Sequence, residues 1–253
     1  HIYVHETGAI ETTGHKVIPV ESNDGKLKPY QIERITEEHH FEHMVKPKLV
    51  YISQSTENGT LYTKKELAEL RSICNKLNLL LYLDGARLGS ALASKVSDLV
   101  LSDYAELCDA FYIGGTKNGA LLGEALVICN DCLKPEFRYH LKQKGALAAK
   151  GRVAGIQFMT LFTDNLYIKL AEHANKMASK LQKGIINAGF ELKYYSDTNQ
   201  VFPILPEKLI SKLEKDFLFY RWEKLKNGDS TIRLICSYAT DEQFVDDFIS
   251  KLS

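Results

Sequence analysis

The sequence predicts an α/β fold whose larger part is built on a mostly parallel sheet, followed by a small α+β domain at the C-terminal end. Three observations carry this. Apolar runs of strand length, such as Leu79 to Leu83 and Ala110 to Ile113, alternate with stretches whose apolar residues recur at helical spacing. Both runs stop abruptly in polar, glycine-bearing tips, Asp84-Gly85-Ala86-Arg87 and Gly114-Gly115-Thr116-Lys117-Asn118-Gly119. Beyond Gly189 the pattern changes to short strands and helices alternating over about sixty residues.

Taken in order, Thr7-Gly8-Ala9 is expected to enter a helix, Lys16 to Val20 to form a strand, and Asn23-Asp24-Gly25 to turn the chain. Pro29 suits a first helical position, and Ile32 and Ile35 give that helix an apolar stripe up to about Glu38. Lys48 to Ser53 reads as a strand. Thr63 with Glu66 three residues later is a capping box, opening a helix to about Leu77 with Leu67, Leu70, Ile73 and Cys74 on its buried face. Residues 98–107 supply short helical or loop connections before the strand that leads to Lys117. Residues 137–151 are basic, and from Val153 to Ala188 helical spacing predicts one long interrupted helix joining two domains. After it, 191–195, 201–205, 217–222 and 231–236 read as strands, with helices from Pro206 to about Lys215 and from Asp241. The expected division is a large domain over 1–152, a connecting helix over 153–188 and a small α+β domain over 189–253.

The 253 residues, 45% hydrophobic and 25% charged, suffice for one sizeable core and a small second one. Thirty-two basic side chains balance thirty-two acidic ones, so no overall field attracts nucleic acid or an anionic membrane. No apolar span reaches the roughly eighteen residues of a membrane helix, the first residues do not form a signal peptide, and a cytoplasmic location is expected. The five cysteines are scattered and expected to be reduced. Cys129-Asn130-Asp131-Cys132 has half-site spacing without a second pair, and His39, His40 and His43 lack a cysteine or fixed acid, so neither group is read as a metal site.

The chemistry lies at the two tips. Lys117 follows Asp84 by 33 residues, about one strand-helix-strand unit, so in a parallel sheet both face the crevice outside the carboxyl ends of the strands. A lysine amine and a carboxylate held there suit pyridoxal 5'-phosphate: the aldehyde takes the amine as a Schiff base, and the acid keeps the pyridine nitrogen protonated. A further candidate is Arg233, the only charge inside the last strand, which is costly to bury unless an anion meets it.

Asp-Gly-Ala-Arg at 84–87, Gly-Gly-Thr-Lys-Asn-Gly at 114–119 and His-Ile-Tyr-Val-His-Glu-Thr-Gly-Ala at 1–9 resemble the low-specificity threonine aldolases, within the aromatic amino acid β-eliminating lyase group. The resemblance implies a fold-type I, aspartate aminotransferase-like large domain, with residues 123–129 as an antiparallel strand. It also implies that His1 stacks on the cofactor ring and takes part in proton transfer, that Glu6 helps hold that region, and that Thr116 lies near the phosphate. By the same resemblance Arg87 touches cofactor and substrate, Arg233 binds the substrate α-carboxylate, and Lys150 reaches a neighbouring subunit's phosphate in a homodimer or homotetramer. Where many relatives have a histidine before an Asn-Gly pair, this sequence has Glu57, a candidate base of different character. Family members also carry an upstream glycine-rich phosphate-binding turn; since the chain begins at His1 inside a motif, a truncated or processed chain is expected. The implied reaction is cleavage of L-threonine or L-allo-threonine to glycine and acetaldehyde. The alternatives are β-elimination from an aromatic or sulfur amino acid, or an inactive remnant.

Overall fold

The computed structural model describes residues 1–252. Its larger part is a four-stranded sheet of β1 (Leu49–Ser53), β2 (Leu80–Asp84), β3 (Ala110–Ile113) and β4 (Ala125–Ile128), in that order. The first three are parallel and β4 runs antiparallel to β3. Because strand order follows chain order, right-handed crossovers deliver the connecting helices to one face. The connecting helices are α2 (Lys64–Leu77), α3 (Leu88–Leu92) and α4 (Leu101–Leu107); α1 (Pro29–Glu38) precedes β1 and packs on α2. Leu67, Leu70 and Cys74 of α2 and Tyr104 of α4 share one core with Val50, Ile52, Leu81, Leu83 and Phe111. The capping box that opens α2 is formed, with the Thr63 amide donating to Glu66 Oε2 at 2.9 Å and the Glu66 amide to Thr63 Oγ1 at 3.2 Å.

Alternate strand residues point to the opposite face. There Tyr51 of β1 stacks on Tyr82 of β2 with ring centroids 5.4 Å apart, and Tyr112 of β3 follows at 6.5 Å from Tyr82.

The chain continues through α5 (Phe137–Gln143) and α6 (Arg152–Phe162) into α7 (Leu166–Asn187). The interruption between the last two falls at Asp164 and Asn165, both left-handed at φ 51° and 60°. The second sheet is antiparallel, in the order β5 (Leu192–Tyr194), β6 (Gln200–Leu205), β8 (Ser230–Ile235), β7 (Tyr220–Lys224), and is completed by α8 (Glu207–Leu213) and α9 (Glu242–Ser250). Met177, Leu181 and Ile185 of α7 pack with Val201, Ile210, Ile232 and Phe248 in a second core, while Tyr167 at the other end of α7 belongs to the first.

Three expectations need correcting. Lys16 to Val20 is not a strand: no neighbouring strand offers it a ladder, and Pro19 lacks an amide donor. No α-helix starts at Thr7, because Thr7 and Gly8 take positive φ of 54° and 71°, leaving a single 3₁₀ turn at Glu11–Thr13. The strand expected at 217–222 lies at Tyr220–Lys224, because Phe217 and Phe219 turn inward to pack on the second core.

Candidate active site

The polar tips of β2 and β3 meet backbone to backbone. The Gly114 amide donates to the Gly85 carbonyl at 2.9 Å. A Cβ at Gly85 would sit 1.8 Å from the Tyr112 carbonyl oxygen, and one at Gly114 would sit 2.4 Å from that of Ala86, so only glycine permits this approach. The Lys117 loop is pinned from α7: the Tyr167 hydroxyl donates to the Gly114 carbonyl at 2.8 Å, and the Asn118 amide to the Tyr167 carbonyl at 2.7 Å.

Lys117 makes no hydrogen bond or ion pair among the described residues, and its electrostatic neighbours are Arg87, Asp84, Glu57 and Glu124. Burial around the amine, then the Arg87 charge, lower its pKa from the ordinary lysine value. The side chain remains exposed, so water moderates the effect. Asp84 accepts from the Tyr51 hydroxyl at 2.5 Å, from the Ala86 amide at 2.9 Å and from the Tyr112 hydroxyl. It forms no salt bridge to Arg87 among the described residues. Burial, followed by the like charge of Arg233, pulls the Arg87 guanidinium down to about 10.

Glu57 lies in the loop after β1 and faces three cations of the site, Lys117, Arg87 and Arg233. Gly59 holds that loop against the second sheet: it sits at φ +77°, and its carbonyl accepts from Ser196 and Thr198 at 3.3 and 3.4 Å. His1 stands between two acids, with Nε2 2.9 Å from Glu57 and Nδ1 3.3 Å from Glu6.

Arg233, on β8, is 5% exposed. Its Nε donates to Gln200 Oε1 at 3.0 Å, and its guanidinium lies 5.0 Å over the Trp222 ring. Nη2 has no partner. A narrow cleft is lined by Arg87, Ser90, Lys117, Asn118 and Asn199. Asn199 donates through Nδ2 to the Cys236 carbonyl at 2.7 Å, while its Oδ1 is buried without a partner.

Two expected residues stand differently. Thr116 donates to Glu124 at 2.7 Å and the Gly115 amide donates to the same carboxylate, so an acid of this chain takes the donors assigned to a phosphate. Lys150 is exposed in the loop before α6 and is tied to no other side chain among the described residues. Tyr51, Tyr112, Asn199 and Tyr167 were not expected from the sequence; only the strand register and the folded chain bring them to the site. A roomier hollow of about 580 Å³ lies among His39, His40, Phe41 and Lys48, before the start of β1 and away from the carboxyl ends of the strands. No cluster there or elsewhere among the described residues could ligate a metal.

The donor set fits pyridoxal phosphate with an amino acid: an amine unpartnered among the described residues, a carboxylate at the end of the preceding strand, and a guanidinium with one nitrogen left free for a carboxylate. The fold and this set define the class, a pyridoxal-phosphate-dependent enzyme of fold-type I.

A β-eliminating lyase family model matches residues 1–208. The low specificity L-threonine aldolase of Pseudomonas aeruginosa is 33% identical over 245 residues, which are 95% of this chain and 70% of that protein. A solved structure of Leishmania major threonine aldolase superposes with a TM-score of 0.97 at 52% identity, over 100% of this chain and 74% of that one. A putative aromatic amino acid beta-eliminating lyase/threonine aldolase from Exiguobacterium shares the fold, with a TM-score of 0.73 at 18% identity. The chain therefore belongs to the β-eliminating lyase family.

Proposed function

We propose that this chain is a carbon–carbon lyase that cleaves L-threonine or L-allo-threonine to glycine and acetaldehyde. The observation that carries the reading is Lys117, an amine without a partner among the described residues, which shares a cleft with Arg87 and has Asp84 and Glu57 among its electrostatic neighbours. Pyridoxal phosphate, when bound, supplies an aldehyde for the amine and a protonated ring that accepts the electron pair left on Cα. Lys117 is the covalent anchor, and its lowered pKa raises the share of neutral, nucleophilic amine near pH 7. Asp84 holds the ring nitrogen. Arg233 and Arg87 orient the substrate carboxylate, which places the β-hydroxyl toward Glu57 and His1. That pair takes the hydroxyl proton, with Glu57 as the carboxylate beside the His1 imidazole. Thr116 and Lys150 serve the phosphate, Thr116 only once Glu124 releases it.

The same reading divides the chain at 1–152, 153–188 and 189–253, and places it in the cytoplasm as a homodimer or homotetramer. Five free cysteines support the reducing location, and no helix is long and apolar enough to cross a membrane among the described residues. Exposed Leu121 and Leu122, with Val153, Ile156, Met159 and Phe162 on α6, support self-association beside the lysine loop. The test is to incubate the protein with pyridoxal phosphate and threonine. A visible absorbance band with glycine and acetaldehyde released, both lost in Lys117→Ala, is expected. Keto acid and ammonia from an aromatic or sulfur amino acid would replace this reading with β-elimination, and no band at all would leave an inactive chain.

A further inference from the structure

The three phenols on the open face of the first sheet are not equivalent. Tyr51 and Tyr112 flank Asp84 from the two neighbouring strands and donate to different oxygens, Tyr51 to Oδ2 and Tyr112 to Oδ1. Tyr82, on the same strand as Asp84, makes no such bond among the described residues. The Ala86 amide adds a second donor on Oδ1. A carboxylate offers about four lone-pair positions, two on each oxygen. Oδ1 is therefore filled and Oδ2 keeps one position open. Burial, then the Asp84 charge, push both phenols far above the ordinary tyrosine range, so they remain donors wherever the protein is folded.

We propose that Tyr51 and Tyr112 are positioning residues that fix the Asp84 carboxylate and leave a single acceptor site, on Oδ2, for the protonated ring nitrogen. This rests on the reading of Asp84 as the partner of that nitrogen. No salt bridge reaches Asp84 among the described residues, so hydrogen bonds alone fix its carboxylate. The groups that act on it are Tyr51 from β1, Tyr82 from its own strand, Tyr112 from β3, and the cations Arg87 and Lys117. Glu57 and Glu124 stand beyond those cations. Removing a phenol frees a lone pair of Asp84 and one of the bonds that fix the carboxylate, so the ring nitrogen loses its single preset acceptor site and the cofactor binds more weakly.

The test is titration of the purified protein with pyridoxal phosphate between pH 5 and 9, followed by absorbance, for Tyr51→Phe, Tyr112→Phe, Tyr82→Phe and Asp84→Ala. Phenylalanine keeps each ring in the stack, and the thermal midpoint of each variant verifies folding. At pH 8 the Tyr51→Phe and Tyr112→Phe proteins are expected to bind about tenfold more weakly than the unsubstituted chain. Tyr82→Phe should follow the unsubstituted chain throughout. Binding no weaker in Tyr51→Phe and Tyr112→Phe than in Tyr82→Phe, yet still dependent on Asp84, overturns the role of the tyrosines alone. Binding that Asp84→Ala leaves intact overturns the reading of Asp84 and this inference with it.

Discussion

Replacing Arg233 with methionine is expected to stabilise the ligand-free protein while crippling substrate binding. The guanidinium is buried on β8 with one nitrogen unpartnered and no carboxylate to neutralise it among the described residues. Effective penalties for such an ion are of order 3 kcal/mol. Against this stand the bond to Gln200 at 3.0 Å, worth about 1 kcal/mol, and the stack on Trp222 at 5.0 Å, worth about 1 kcal/mol. The difference leaves Arg233 unfavourable by about 1 kcal/mol until an anion arrives, so Arg233→Met should raise the thermal midpoint by roughly 2–4 °C. Its absence removes charge-assisted bonds to the substrate carboxylate worth about 1.5–3 kcal/mol, so KM should rise by about ten- to a hundredfold. Thermal unfolding without ligand and release of acetaldehyde from threonine measure the two effects. A midpoint lowered by several degrees together with an unchanged KM would refute the reasoning and make Arg233 a structural residue.

Three other outcomes are expected. Arg87→Met removes the like charge beside Lys117, so the lysine pKa rises and formation of the visible band with pyridoxal phosphate moves to higher pH; an unmoved profile would assign the lowering to burial alone. Gly85→Ala forces a methyl against the Tyr112 carbonyl and should lower stability by about 3 kcal/mol, at the top of the range for overpacking, with loss of cofactor binding, both read in one thermal-shift experiment with and without cofactor. Asp24 is acted on first by burial, which opposes ionisation, but the Lys26 amide, Ser22 and Lys28 outweigh it and bring the carboxyl down to about 2. Its folded pKa thus lies below the unfolded one, so its contribution is complete above about pH 4 and is lost as pH falls toward 2. Urea unfolding of Asp24→Asn should lack that part of the acid limb.

The tips of β2 and β3 were legible because a buried strand can end only where polarity and glycine begin, and both runs do so within a residue of the observed boundary. The start of α2 was legible for an equally local reason, its capping box. Tyr51 and Tyr112 were not, because an aromatic residue on a half-buried strand face is ordinary strand material. Their role depends on a register that pairs Tyr51 with Tyr82, and Leu83 with Phe111, and so brings both hydroxyls to Asp84. Asn199 was hidden by distance along the chain: its amide meets the Ser90 hydroxyl at 3.1 Å across 109 residues, and no local pattern encodes that contact. Lys16 to Val20 misled because β-branched residues beside a proline look like an edge strand when no neighbour can be seen. Phe217 misled in the same way, since its partner Phe248, at 5.1 Å between ring centroids, belongs to the last helix.

Helix α7, one rod of 22 residues, carries Tyr167, which grips the lysine loop, near one end and Ile185, beneath the second sheet, near the other. Lys117 and Arg233 are consequently indexed to each other like marks on a single screw. One residue inserted between Ala171 and Met177 would turn everything downstream by about 100° and advance it by about 1.5 Å. Arginine and amine would then no longer address the same small molecule, though each half could still fold, so the reading frame of this helix, more than any loop length, sets the gauge of the catalytic cleft.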